Sequence, residues 1–152
     1  MLTYFLIIFV VALALAPLGH FLPSKRQREV ARMREYAAVH GLFVEYRDVP
    51  ARAGGSVPSA VPKREVIYYG KRLPHRRGSA VETGAWVSAQ EGWYCVGRRL
   101  PVPPQLRELP ANIVAASVDQ SSCGVYWMES EGEEGVEHIK QILEHWSEAL
   151  SR

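Results

Sequence analysis

Cysteine is scarce in this chain of 152 residues: only Cys95 and Cys123 occur, with 27 residues between them, no C-x-x-C and no histidine at ligand spacing. That excludes a disulfide-stapled scaffold and a thiolate zinc centre. In a reducing cytoplasm both thiols read as small buried apolar groups, and a Cys95–Cys123 disulfide fits only if the topology derived below is inverted. Phosphate-loop chemistry is missing too, since Gly54-Gly55 is followed by no lysine and opens no helix. No G-x-S-x-G elbow occurs. The histidines, His20, His40, His75, His138 and His145, are scattered. His138 and His145 share a helical face, but seven residues of rise part them by about 10 Å, too far for one zinc ion. A module for nucleic acid is absent as well. These gaps predict a protein that is not an enzyme and takes no cofactor, metal or nucleic acid.

Charge is absent from the first 24 residues, and what stands there instead is an apolar run. Residues 2–16 are aliphatic or aromatic apart from the hydroxyls of Thr3 and Tyr4, and the run continues to Leu22 past Pro17, Gly19 and His20. About 20 such residues at 1.5 Å rise match a hydrocarbon core of about 30 Å, so residues 1–22 are expected to form a transmembrane anchor. Ala14-Leu15-Ala16 also resembles a signal-peptidase site, but the preceding segment has no Lys or Arg and Pro17 would follow the cut. Lys25, Arg26, Arg28, Arg32 and Arg34 crowd the C-terminal flank. The positive-inside rule then puts the N-terminus outside and the rest in the cytoplasm, a single-pass inner-membrane protein.

The remaining residues fit one domain of ordinary size. Their charge is uneven: residues 23–110 hold sixteen basic and eight acidic side chains, residues 111–152 two basic and eight acidic. With the basic end at the bilayer, anionic lipid headgroups are the simplest partner, and Lys25, Arg26, Arg28, Arg32 and Arg34 the contact residues. A second cluster, Lys71, Arg72, His75, Arg76 and Arg77, is a candidate anion-binding loop. Two functions follow. One is an anchored, non-enzymatic accessory domain docking on a membrane complex through a membrane-protein partner. The other is a small enzyme or anionic-ligand-binding domain held at the membrane surface through the basic loop 71–77.

Along the chain, Ser24 and Gln27 form a capping box that opens a helix ending at Gly41, with Val30, Met33, Ala37 and His40 on one stripe. Residues 23–41 thus read as a juxtamembrane amphipathic helix, and 42–152 as a cytoplasmic α+β domain with a flexible loop at 50–62. Strands are expected at 42–48, within 63–73, and in hairpins 85–89/93–100 and 113–118/124–128, the last turning at 119–122. Ser130 and Glu133 form a second capping box. Val136, Ile139, Leu143, Trp146 and Leu150, widened by Ile142 and Ala149, then mark a C-terminal amphipathic helix whose apolar face is expected on the domain's own sheet, with a seam against a partner helix as the alternative. The fold class is α+β: one N-terminal transmembrane helix, then a helix, a mostly antiparallel sheet and a C-terminal helix.

One N-terminal membrane helix, the cluster Leu22-Pro-Ser-Lys-Arg-Gln-Arg28, a short helix and a small β-rich domain together resemble the YajC-type accessory subunit of the bacterial preprotein translocase. The resemblance covers about the first third of the chain and implies association with a membrane complex; the C-terminal amphipathic helix departs from the pattern.

Overall fold

A computed structural model of the chain describes residues 1–15, 23–50, 66–74, 81–89, 92–97 and 99–151. Helix α1 spans Leu2–Leu15 and exposes every residue. Its 14 residues reach about 21 Å, short of a hydrocarbon core of about 30 Å. No helix among the described residues is long and apolar enough to cross a membrane. This corrects the expected fold class, the transmembrane and single-pass assignment, and the inner-membrane localisation that rested on it. The apolar run 2–22 reads as one helix; the structure describes Leu2–Leu15 of it, and residues 16–22 lie outside the described residues.

Helix α2, Lys25–Val39, starts where the capping box placed it. The Gln27 backbone N–H donates to Ser24 Oγ at 3.2 Å, and the Ser24 N–H donates to Gln27 Oε1 at 2.8 Å. The chain leaves the helix through Gly41 at φ 79°, a left-handed conformation that costs glycine little. Strands β1 (Leu42–Glu45), β2 (Ile67–Arg72), β3 (Gly84–Ala89), β4 (Gly92–Cys95), β5 (Ile113–Val118) and β6 (Ser122–Trp127) form one antiparallel sheet in the order β1-β2-β6-β5-β3-β4. A 3-10 helix at Pro104–Glu108 connects β4 to β5, and α3, Gly132–Leu150, ends the fold.

Period-two alternation assigns the strand residues to two faces. Ile67 and Tyr69 join Val125, Trp127 and Trp86 under α2 and α3, whose Met33, Ala37, Val136, Ile139, Leu143 and Trp146 complete the main core. Trp146 meets Trp86 edge-on at 5.9 Å, and Tyr69 meets Trp127 at 5.3 Å. The apolar stripe of α3 is thus spent on its own sheet. Its five buried large side chains, at about 2 kcal/mol each, contribute on the order of 10 kcal/mol before ordering entropy is subtracted. Ala149 stays exposed.

On the opposite face Val66, Tyr68, Ala115 and Tyr126 form a second buried cluster. The Tyr68 ring lies over Gly124, where a Cβ would collide with that ring and with the Tyr69 carbonyl. Arg47 stacks on the other side of the cluster, 4.2 Å from the Tyr68 ring centre. Central β6 is consequently buried along its whole length. The second capping box does not form: Glu131 is the N-cap of α3 and makes no side-chain cap bond, while Ser130 Oγ accepts from Asn112 Nδ2 at 3.0 Å. Gly132 at φ 67° sets the entry to α3 one residue later than the S-x-x-E pattern requires.

Candidate functional site

The five cations expected on a lipid surface divide into two groups. Lys25, Arg28 and Arg32 are exposed and line a cleft of about 670 Å3 against α3. Glu29, Glu131, Glu133 and Glu134 line the same cleft, so its charge is nearly balanced. Arg26 and Arg34 turn the other way, toward the connection between β6 and α3. The anion-binding loop divides as well. Lys71 Nζ pairs with Glu144 Oε1 at 3.2 Å, and Arg72 stacks 5.3 Å from the Phe43 ring centre. His75, Arg76 and Arg77 lie outside the described residues, as does most of the expected loop at 50–62.

The side chains that do converge surround Glu129, just past the end of β6. It is 4% exposed and adopts φ 48°, left-handed backbone that a residue with a Cβ rarely accepts. Arg34 reaches it from α2 with a two-point grip, Nε donating to Oε1 and Nη2 to Oε2, both at 2.8 Å. Tyr69 Oη, rising from β2 through the core, donates to Oε1 at 2.8 Å. Arg26 Nη2 donates to the Glu129 backbone carbonyl and, at 3.5 Å, to that of Met128. The hydrogen bond to Glu129 holds the Arg34 guanidinium's pKa above its ordinary value, and burial followed by the Glu129 charge pushes the Tyr69 phenol up.

This node opens on a cleft of about 370 Å3 lined by Arg26, Val30, Arg34, Tyr46, Ile67, Met128 and Glu129. Tyr46 stands at the rim, 77% exposed, its hydroxyl accepting from Arg34 Nη1 at 3.1 Å and its ring 5.6 Å from the guanidinium carbon. Sequence reasoning missed Glu129, Tyr46 and Tyr69. Nothing local marks them: Glu129 belongs to an acidic run, and its partners lie 60 and 95 residues away.

The other charged clusters serve the fold. At the β5–β6 turn Asp119 accepts from the backbone N–H groups of Ser121 and Ser122 at 2.8 and 2.7 Å, and from both hydroxyls. Burial raises its pKa, but those donors outweigh burial and hold the carboxyl down at about 2. Tyr36 Oη and Lys140 Nζ hold Glu137 at 2.9 and 2.8 Å, joining α2 to α3. Among the described residues no group of three His, Cys, Asp or Glu could hold a metal ion.

The chain matches no family model, no curated protein and no solved structure.

Proposed function

We propose that this chain is a non-enzymatic interaction domain that makes contact with a lipid bilayer through α1. The observation that carries the reading is the character of that helix: Leu2–Leu15 is apolar on every side and exposed at every residue. An all-round apolar helix demands cover on every side. A groove on a protein would cover one stripe and leave the rest in water, whereas acyl chains surround a helix completely. The described turns, Leu2–Leu15, measure about 21 Å, all of it apolar surface that acyl chains can cover. Burying twelve or so such side chains, at about 2 kcal/mol each, far exceeds what a few headgroup contacts supply. Anionic headgroups add little, because Lys25, Arg28 and Arg32 share their cleft with four glutamates. The folded domain beyond α2 is then the part presented to other proteins.

The test is transfer of the full chain from detergent to vesicles, with a photo-crosslinker at Phe9. Neutral phosphatidylcholine vesicles and vesicles with added anionic lipid should both retain the protein, with weak dependence on salt. Ile7→Asp with Val10→Asp should release it from both. Retention on anionic vesicles alone, or crosslinking of Phe9 in cell extracts to protein and never to lipid, would overturn the lipid reading.

A further inference from the structure

We propose that the cleft between α2, the chain just after β1 and the β6–α3 connection binds a small carboxylate that carries a short apolar tail. The proposal stands independently of how α1 is covered. The space of about 370 Å3 is at the small end of the range that small-molecule sites occupy. Val30, Ile67 and Met128 form its apolar wall, and Arg26, Arg34 and Tyr46 supply donors. That pairing of an apolar wall with a few convergent donors suits an amphiphilic ligand.

The donors are poised and incompletely used. Of the five N–H groups of Arg34, two hold Glu129 and one holds Tyr46; the remaining two have no acceptor among the described residues. Because the Tyr46 hydroxyl accepts from Arg34, its own hydrogen is available to donate into the cleft. Arg26 spends Nη2 on two backbone carbonyls, and its Nη1 stands 3.6 Å from the half-exposed Glu29. Two guanidinium groups and one carboxylate line the cleft, and Glu29, 3.6 Å from Arg26 Nη1, offsets part of the positive charge that remains. A monoanion cancels the rest. A phosphate dianion would overshoot and would lie against the buried Glu129 carboxylate, which selects a carboxylate as the ligand.

Glu129 itself is the positioning residue. A left-handed backbone in a residue other than glycine is strained, and such strain persists only where the surroundings enforce it. Here it aims a buried carboxylate at Arg34 and fixes the guanidinium plane, with Tyr69 holding the carboxylate from behind. The Arg34 side chain, which lines the cleft, is 32% exposed, whereas the Glu129 side chain is 6% exposed. The free carboxyl could belong to a small acid or to the C-terminus of a peptide, which share this chemistry.

The experiment titrates the full chain, in neutral detergent, with isovalerate and with its neutral isostere isovaleramide, following the Arg34 Nε–H and Ile67 methyl signals by NMR. N-acetyl-Ala-Leu with a free carboxylate, and the same dipeptide as its amide, form the second pair. Isovalerate should shift both signals saturably and isovaleramide should not. Tyr46→Phe, at an exposed position where folding is unaffected, should weaken binding about tenfold, the usual loss of one hydrogen bond to a charged group. Arg26→Gln should weaken it at least as much. Binding by isovalerate assigns the site to a free acid, and binding by the dipeptide carboxylate alone assigns it to a chain terminus; either supports the proposal. No saturable response to either carboxylate, an equal response to the amides, or unchanged affinity in Tyr46→Phe and Arg26→Gln would overturn it.

Discussion

Replacing Glu129 by glutamine removes one charge and leaves the shape. In the folded protein the carboxylate accepts two bonds from Arg34 and one from Tyr69, all at 2.8 Å, while almost out of reach of water. The glutamine amide can present one oxygen, so at least one N–H of Arg34 meets an NH2 group instead. Breaking a buried ion pair from one side costs about 3–5 kcal/mol. Arg34 is 32% exposed, so water recovers part of its solvation and the expected loss is nearer about 2 kcal/mol. In a chain of this size that lowers Tm by about 4–8 °C. Arg34→Gln should cost a similar amount. The double variant should cost less than the sum, with a coupling of about 1–2 kcal/mol, because neither remnant then strands a charge. Glu129→Gly should unfold less readily than Glu129→Ala by about 1 kcal/mol, since glycine alone occupies φ 48° without strain. Urea unfolding in neutral detergent, followed by the fluorescence of buried Trp127 and Trp146, reads all of these on the full chain. Single losses below about 0.5 kcal/mol with no coupling would refute the view that this node ties α2 to the sheet.

Two further outcomes follow from the same geometry. Asp119 has its folded pKa depressed to about 2, so its contribution is present above the unfolded value near 3.8 and disappears as pH falls from there to about 2. Asp119→Asn should flatten the acid limb of a stability–pH curve over that window, and an unchanged limb would show that the turn does not hold the carboxylate as described. Burial pushes the Cys123 thiol up to about 12, so iodoacetamide should leave it unmodified at neutral pH until the chain unfolds; rapid labelling of native protein at Cys123 would contradict its place in the core.

Local signals in the sequence were reliable where the physics is local. Ser24 and Gln27 satisfy each other across one helical turn, so their spacing alone marks the start of α2. The stripe of Val136, Ile139, Leu143 and Trp146 marks α3 for the same reason, and each of the six described strands overlaps a segment that the β-branched and aromatic runs mark. The Ser130–Glu133 pattern has the same spacing and fails. Ser130 instead serves Asn112, eighteen residues away, and Gly132 turns the chain after it. Composition also carried the anchor reading across residues 2–22, of which the structure describes Leu2–Leu15 as helix.

What the sequence by itself determined is the set of elements, the α+β class and the apolar character of the first segment, because helix caps, periodicity and hydrophobic burial act between residues a few positions apart. Its uneven charge suggested a basic end and an acidic end. Tertiary structure decided otherwise, since the antiparallel sheet folds the two ends onto each other. Arg34 grips Glu129, Lys71 meets Glu144, and Arg47 meets Asp119. Only that folding brings Arg26, Arg34, Tyr46, Tyr69 and Glu129 into one node, because charges dozens of residues apart can neutralise or select one another only when the strand order places them within a few ångströms.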